Sequence, residues 1–302
     1  MVQMLNTWRL QLLVQLSKLG TMRLVAEAML ISPATVSMQL KILETETSTV
    51  LLEKIGRNVK LTAAGQRLVK EVSPILNQLE SVTNELQDSA QEVQGTVRIA
   101  AFSSALRALV LPAVAQVNDS YPQIKIILNE MEPDQSLPGL QAHQFDIALI
   151  AQLGTGNALT DPEYQLINLG ADQLQVLVNQ ASPLAKNESI SIDLLKEQAW
   201  MLEPDTAYLT KAVRRLCQQA GFSPNVSGIC QSYTTLQAAV SHNWAIGVLP
   251  TLAVTQTANV KLLNLQPATL RQIFLAVRKP QARVRAIQIV VQAIQEQAAA
   301  LF

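Results

Sequence analysis

The stretch SPATVSMQLKILE, from Ser32 to Glu44, has the features of a helix with two unlike faces. Ser32 can cap the first free amide groups, and Pro33 suits the first helical position because its missing N–H costs nothing there. At about 100° per residue, one side is apolar and carries Val36, Leu40 and Leu43. The other side is small and polar enough to enter a DNA groove, and it carries Ala34, Ser37, Met38 and Lys41.

Two further helices are predicted ahead of this one. A helical stripe is formed by Leu5, Trp8, Leu12, Leu16 and Leu19. Gly20 ends that stripe, and Thr21 can cap a second short helix from Met22 to Met29. A connection of three residues then leads to Pro33, so the second and third helices form a helix-turn-helix.

The segment LLEKIGRNVKLTAAG, residues 51–65, predicts a hairpin beside this motif. Gly56, Arg57 and Asn58 lie between two short apolar strands, where the tip of a hairpin is expected. A basic hairpin next to a recognition helix is a wing, which is suited to phosphate contact.

With these motifs the chain resembles the LysR-type transcriptional regulators, bacterial proteins that join a winged helix-turn-helix to a ligand-binding C-terminal half. The matching residues, in the family's order and spacing, are Ala26, Ser32, Val36, Ser37, Leu43, Glu44, Glu46, Leu51, Glu53, Lys54, Gly56, Arg57, Val59, Lys60, Leu61, Thr62, Ala64 and Gly65. Looser matches follow at GTVRIA (95–100), Leu111 and Pro112, Tyr121 and Pro122, FDIALI (145–150) and AIGVLP (245–250). The resemblance therefore spans nearly the whole chain.

The resemblance implies a mixed fold with three parts. These are an N-terminal α-helical winged helix-turn-helix (residues 1–62), a long dimerisation helix (63–94) and a two-lobed α/β effector domain of the periplasmic-binding-protein type (95–302). Short apolar runs that alternate with helical patterns from Gly95 onward independently predict α/β units. Lobe 1 is expected to comprise 95–165 and 270–302, and lobe 2 to comprise 166–269.

The linking helix carries a narrow apolar stripe, at Leu68, Val72, Ile75, Leu79, Val82 and Leu86. The alternating spacing of four and three predicts a coiled-coil seam with a second subunit. Packing of the stripe on the chain's own effector domain is the alternative. Pro74 lies inside the run and is expected to kink the helix or to restart it, with Ser73 as a new cap.

Composition limits the class of protein. The 302 residues are 49% hydrophobic, which is ample for real cores, and the net formal charge is zero. Up to residue 62, however, seven lysines and arginines stand against four glutamates, a local excess that suits a site-specific DNA reader. Neither a signal peptide nor a membrane span is recognisable, so a cytoplasmic protein is expected, with Cys217 and Cys230 reduced or, alternatively, paired as a redox switch.

Double-stranded DNA is the predicted macromolecular partner. The residues expected near base edges are Pro33, Thr35, Ser37, Met38 and Lys41, and those expected on phosphates are Arg57 and Lys60. The resembling family commonly has Arg or Lys at the position of Met38, so one guanine contact or phosphate anchor is missing here. A homodimer or homotetramer would present several copies of this helix, and RNA polymerase is a further possible partner.

A small-molecule effector is expected between the two lobes. Phe102, Ser103 and Ser104 stand where a strand gives way to a helix, and free amides with the helix dipole attract an anion there. Helix capping by either serine is the equal alternative. The resemblance adds Asp205, Thr206 and Ser232 from the facing lobe, with Ile246 and Gly247 near the hinge. A carboxylate-bearing metabolite is the suggested ligand.

No cofactor, metal site or catalytic constellation is predicted. His143 and His242 fall at helix ends, where a surface or capping role is expected, and Trp200 and Trp244 are expected to serve packing. Two other classes remain as alternatives: a solute-binding receptor or sensor without a DNA-binding role, and a small two-lobed enzyme.

The chain departs from the family pattern after the recognition helix. Thr47, Ser48, Val50 and Leu52 replace the usual Leu, Gly, Pro and Phe, and Asn243 replaces another common glycine. A lost glycine at a position with positive φ is expected to loosen the junction of helix and wing.

Overall fold

In the computed structural model, residues 5–55, 58–87, 93–154 and 163–302 are described. The N-terminal domain contains α1 (Thr7–Leu19), α2 (Met22–Met29), α3 (Pro33–Thr47), β1 (Leu52–Ile55) and β2 (Asn58–Leu61). Helix α2 has the predicted bounds, α1 ends at Leu19 as predicted, and α3 continues three residues beyond Glu44. Thr21 and Ser32 accept hydrogen bonds from the Leu24 and Thr35 amides, and Gly20 has φ of 77°.

The buried faces of α1, α2 and α3 form one core. Leu12, Leu13, Val36 and Leu43 are completely buried in it. Glu44 fixes the wing to this core, because one of its carboxylate oxygens accepts from the backbone amides of both Leu51 (2.8 Å) and Leu52 (3.0 Å). The apolar face of α3 is thus held inward and its polar face is left outward.

Helix α4 (Ala63–Gln87) is continuous through Pro74. The expected restart was wrong: the Ser73 hydroxyl donates to the Val69 carbonyl at 2.7 Å rather than capping a new helix. The apolar stripe is divided. Val72 is buried in the core of the N-terminal domain and Leu68 packs against that core. Leu68 and Val72 are therefore engaged within the chain, and a seam with a second subunit stays a prediction for the rest of the stripe.

Lobe 1 is built on a mixed sheet. Its elements are β3 (Gly95–Ala101), α5 (Ser103–Ala105), a π-helical turn (Leu106–Val110), α6 (Leu111–Ser120), β4 (Ile124–Glu130), α7 (Pro133–Gln141), β5 (Ile147–Leu153) and, from the end of the chain, β12 (Leu270–Arg278) and α10 (Arg285–Leu301). Strand β3 pairs in parallel with β4 and β5, and β12 pairs antiparallel with β5. The last strand and helix of the chain thus lie in this lobe.

Lobe 2 shares a long strand with lobe 1. Its elements are β6 (Tyr164–Asn179), β7 (Ser189–Ser191), β8 (Ala199–Leu202), α8 (Tyr208–Gln219), β9 (Asn225–Ile229), α9 (Tyr233–Ser241), β10 (Gly247–Pro250) and β11 (Val260–Gln266). Residues 164–173 of β6 pair with β12, whereas 174–179 pair with β10 and β11. The expected boundary at residue 166 therefore falls inside a strand, and the pairing changes lobe only near residue 174.

Each lobe has its own core. Trp200 is fully buried in that of lobe 2, as predicted, while Trp244 is 53% exposed. Within the described ranges, no helix has both the length and the apolar character needed to cross a membrane.

Candidate functional sites

The outer face of α3 is open to solvent. Pro33, Ser37, Met38 and Lys41 are all exposed, and Met38 is 54% exposed. Thr35 is half-buried, and its hydroxyl lies 2.8 Å from that of Ser32, so Thr35 supports the start of the helix as well as facing outward. Because the opposite face is locked in the core, this polar surface can meet a partner without unfolding the domain.

The wing presents Lys60 to solvent. Strand β2 pairs antiparallel with β1, and exposed Lys60 stands opposite Glu53. Arg57, the other predicted phosphate contact, lies outside the described residues. Further along, α4 exposes three apolar side chains of the predicted seam, at Ile75, Leu79 and Val82, while the side chain of Leu86 lies outside the described part.

Only one of the three residues predicted at the lobe 1 corner reaches the surface. Ser103 is exposed, whereas Phe102 and Ser104 are buried. Ser104 accepts a hydrogen bond from an Arg271 nitrogen at 3.1 Å, and the same guanidinium lies 5.0 Å from the centre of the Phe102 ring. Phe102 and Ser104 therefore contact the Arg271 side chain inside the lobe rather than solvent.

Arg271 is itself held by a buried ion pair. Its Nε and Nη2 donate to the two oxygens of Asp172 at 2.8 and 2.7 Å, and both side chains are almost completely buried. Asp172 also accepts from the Leu252 amide at 2.9 Å. Since Asp172 lies on β6 close to residue 174, where the strand changes its pairing partners, this cluster lies at the junction of the two lobes.

The predicted residues of lobe 2 divide between the surface and the core. Asp205 is exposed and pairs with Arg214, Thr206 is exposed, and Ser232 caps α9 through the Thr235 amide. Ile246 and Gly247 are buried in the core of lobe 2. A Cβ at Gly247 would lie 2.3 Å from a Leu236 methyl carbon, so this glycine is needed for packing, while effector contact at Ile246 and Gly247 stays a prediction.

Two contacts that sequence reasoning missed bridge the lobes. A Glu132 oxygen accepts from the Tyr208 amide at 2.8 Å, and Lys211 pairs with Asp134 at 2.9 Å. The acidic segment EMEPD (130–134), which begins at the last residue of β4, was the available signal, but nothing in the sequence showed which residues it faces. In the structure it faces the first turn of α8, where free amides favour a carboxylate.

Glu203 and two nearby tyrosines have raised pKa values. Burial, together with the negative charge of Glu132, raises the pKa of Glu203 to about 7. Burial also raises the pKa of Tyr208 to about 12, and burial followed by the charge of Glu203 raises the pKa of Tyr233. Such clustered shifts are typical of functional sites, because they record desolvation of groups that face one another.

The two cysteines are free and buried within lobe 2. Burial raises the pKa of the Cys217 thiol to about 11 and raises that of Cys230 as well. Since the thiolate is the reactive form, both thiols are poorly suited to oxidation. Among the described residues, no three His, Cys, Asp or Glu side chains group as they would around a metal ion.

Comparison with known proteins agrees with this arrangement. A model described as the LysR substrate binding domain matches residues 90–299, and one described as a bacterial regulatory helix-turn-helix protein of the lysR family matches residues 8–66. The chain belongs to the LysR family. It is accordingly a DNA-binding transcriptional regulator with an effector-binding domain.

Two curated relatives and one solved structure show how far the similarity extends. The transcriptional dual regulator GltC of Bacillus subtilis is 25% identical over 223 residues, covering 74% of this chain and 73% of GltC. The dual regulator OxyR of Escherichia coli is 25% identical over 251 residues, covering 83% and 80% of the two chains. A full-length OxyR variant from Pseudomonas aeruginosa has a TM-score of 0.65 at 20% identity, over 97% of this chain and 98% of that one.

Proposed function

We propose that the exposed face of α3 reads base edges while the wing holds the DNA backbone. The supporting observation is that a polar face, with Ser37, Met38 and Lys41, stands outward on a helix whose other face is fully buried. Pro33 and Thr35 lie at the end of the helix that would enter the groove first. Lys60 and Arg57 would contact phosphates, which position the protein without reading sequence.

A second subunit would place two such helices on one DNA site. The exposed stripe of Ile75, Leu79 and Val82 supports pairing of α4 with the same helix of another copy. A two-fold dimer would then bind a pseudo-palindromic site, with the spacing of its half-sites set by the paired helices.

Titration of fluorescent DNA from upstream of the chain's own gene tests this. Lys60→Ala should weaken binding to all sequences and lower the log–log salt slope by about 0.9, if the side chain neutralises one phosphate, whereas Lys41→Ala should weaken binding chiefly to the preferred sequence. Lys125→Ala, which removes an exposed lysine from lobe 1, is the matched control and should change neither quantity. A solute-binding receptor without a DNA-binding role would show no sequence preference in the wild type.

We propose that the effector lies in the interlobe cleft, against Ser103, Glu132, Glu203, Tyr208 and Tyr233. The charge of this surface favours a ligand with a cationic or neutral polar group. A carboxylate metabolite, the ligand suggested by the sequence, would have to displace Glu132 from the start of α8. Titration calorimetry with amine and carboxylate metabolites, using wild type and Glu132→Gln, separates these two classes.

We propose that the regulator responds to reversible ligand binding rather than to oxidation of its thiols. Some curated relatives are named hydrogen peroxide-inducible genes activators. Here Cys217 and Cys230 are buried with raised pKa values, so treatment with peroxide should leave DNA binding unchanged. A peroxide effect that is lost in Cys217→Ser or Cys230→Ser would contradict this.

The protein is further proposed to act in the cytoplasm, where it would meet DNA and RNA polymerase, and to have no enzymatic activity.

A further inference from the structure

Helix α3 exposes an apolar strip beside its polar groups. Ala34 and Met38 are both exposed and lie four residues apart, so their side chains are neighbours on one face of the helix. Pro33, Ser37 and Lys41 form the adjacent strip, again at intervals of four residues. The outward face therefore has one strip of carbon and sulfur atoms, the Ala34–Met38 strip, next to a strip that carries a hydroxyl and an ammonium group.

Few side chains on this face form paired hydrogen bonds with a base. Such paired contacts to guanine and adenine come from Arg, Lys, Asn and Gln. Helix α3 contains no arginine or asparagine, and its one glutamine, Gln39, is half-buried and accepts from Nε of Arg9 in α1 at 2.8 Å. Arg9 also pairs with Glu46. Gln39 and Arg9 are thus engaged with each other inside the domain, and Lys41 is the one cation that α3 turns outward.

The opening turn of α3 adds few hydrogen-bond donors. Pro33 has no backbone N–H, and the Thr35 amide donates to the Ser32 hydroxyl at 3.0 Å. The Ser32 and Thr35 hydroxyls also lie 2.8 Å apart, so they satisfy each other. In a helix-turn-helix, the N-terminal residues of the second helix approach the base edges. The groups that would arrive there first are accordingly the Pro33 ring and the Ala34 methyl group.

Apolar side chains distinguish one of the four standard bases in the major groove. Thymine carries a C5 methyl group there, which apolar side chains contact, whereas the other three bases are told apart by their hydrogen-bonding groups. A methyl group or a thioether has no proton to donate to a phosphate, so the strip is not suited to the DNA backbone. The rise between Ala34 and Met38 is about 6 Å, roughly two base-pair steps. The strip is therefore long enough to cover two thymine methyl groups that lie close together.

We propose that the Ala34–Met38 strip reads thymine through its methyl group, and that Met38 is the residue that sets this preference. The inference rests on the proposed reading of base edges by α3 and adds the kind of sequence that is read. Each half-site would contain one or two thymines whose hydrogen-bonding groups α3 leaves unread, while Ser37 and Lys41 contact the neighbouring base pairs. The flexible and polarizable thioether of Met38 suits this role, because it adapts its shape to an apolar surface.

The test begins with the preferred sequence of the full chain, enriched from random duplex DNA at moderate salt. Each thymine of a half-site is then replaced by deoxyuridine, which lacks only the methyl group, and affinity is measured with fluorescent duplexes. Loss of one methyl group from an apolar contact should weaken binding about fourfold at one or two positions. The salt slope should not change, because no phosphate contact is lost. At the same positions 5-methylcytosine should bind about fourfold more tightly than cytosine, because it supplies the methyl group without the rest of thymine.

Substitutions of Met38 show whether this residue makes the contact. In Met38→Ala, deoxyuridine should no longer weaken binding at one of these positions, while any position contacted by Ala34 keeps its loss. Met38→Leu retains an apolar side chain of similar volume and should restore the wild-type response. Leu194→Ala, which shortens an exposed leucine of lobe 2, is the matched control and should distinguish the two duplexes as the wild type does. If Met38→Ala bound too weakly to titrate, Met38→Gln would give the same comparison, because it keeps the length of the side chain and replaces the thioether by a carboxamide.

The outcomes keep this inference apart from the proposed function. A preferred sequence in which every thymine tolerates deoxyuridine would overturn the methyl reading and leave base reading by Ser37 and Lys41 intact. An equal effect of deoxyuridine on wild type and Met38→Ala at every position would also overturn it, since Met38 would then make no methyl contact. Failure to enrich any sequence would contradict the proposed function together with the inference that rests on it.

Discussion

The N-terminal domain and the interlobe cleft differ in how they bring functional groups together. Ser37, Met38 and Lys41 fall within five residues of one helix and project from a face set by local spacing. In the cleft, Glu132 meets Tyr208 across 76 positions of sequence and two lobes. The DNA-binding surface therefore depends on one helix and its caps, whereas the cleft depends on the packing of the whole effector domain.

The two regions also differ in what surrounds their charges. Lys41 and Lys60 are exposed and cost little to solvate, while Arg271, Asp172 and Glu203 lose much of their water. Substitutions in the N-terminal domain should thus change DNA binding and leave unfolding nearly unaffected. Substitutions of Arg271 or Asp172 should mainly lower the free energy of unfolding.

The largest effect is expected at Arg271. Arg271→Ala leaves Asp172 charged and buried without its partner, and removes the donor to Ser104, so the free energy of unfolding should fall by about 3–5 kcal/mol. Urea denaturation of the full chain measures this. Lys261→Ala, at an ion pair that is 34% and 84% exposed, should cost at most about 1 kcal/mol.

A double substitution that removes the charges of both Arg271 and Asp172 extends this comparison of stabilities. Arg271→Met with Asp172→Leu should recover much of the loss, since an apolar pair needs no compensation for a buried charge. Recovery should stop short by about 1–3 kcal/mol, because the Leu252 amide then loses its acceptor. A single Arg271→Ala variant as stable as Lys261→Ala would contradict the burial of the Arg271–Asp172 ion pair.

Features set by neighbouring residues were predicted from the sequence, whereas features set by contacts between distant residues were not. Helix α2 begins and ends as predicted because Thr21 and the preceding Gly20 act on their own neighbours. Helix α7 went unpredicted because Pro133 and Pro138 interrupt its pattern, although the first sits at its opening position. The boundary at residue 166 was misplaced because β6 crosses both lobes, and only its pairing partners reveal this. Ser104 was assigned to the ligand or to helix capping because the sequence could not show that its hydroxyl accepts from Arg271.

Glu203 should make the effector domain sensitive to pH. Its pKa in the folded protein is about 7, above the ordinary value of 4.5, so the folded state holds the proton more tightly. The free energy of unfolding should therefore fall as pH rises between these values, by about 1–2 kcal/mol after allowance for partial exposure, and then level off.

Glu203→Gln isolates this contribution. The variant should lose the decline between pH 5 and 7, which is read as the difference between the two proteins in urea denaturation at each pH. His143 has a pKa lowered to about 3 and therefore adds stability as pH rises toward 6.5, but both proteins contain it and the difference removes its effect. If the difference in unfolding free energy between the two proteins stayed the same from pH 5 to 7, Glu203 would be as well solvated as an exposed carboxyl.

The smallest effect is expected at the end of the recognition helix, where Ser48 has φ of 48° and closes α3 through amide contacts to the Glu44 and Thr45 carbonyls. Ser48→Gly should stabilise this junction by about 1 kcal/mol, because glycine adopts the left-handed conformation without strain on a Cβ. Hydrogen exchange in peptides covering residues 44–52 should slow accordingly. Asn243→Gly is the matched comparison: Asn243 has φ of 56° in lobe 2, but asparagine tolerates that conformation, so the gain should be much smaller. Equal gains at the two positions would show that strain at Ser48 is not special to the N-terminal domain. A gain at Ser48 alone, with DNA affinity unchanged, would show that the DNA-binding surface withstands changes at the end of its own helix.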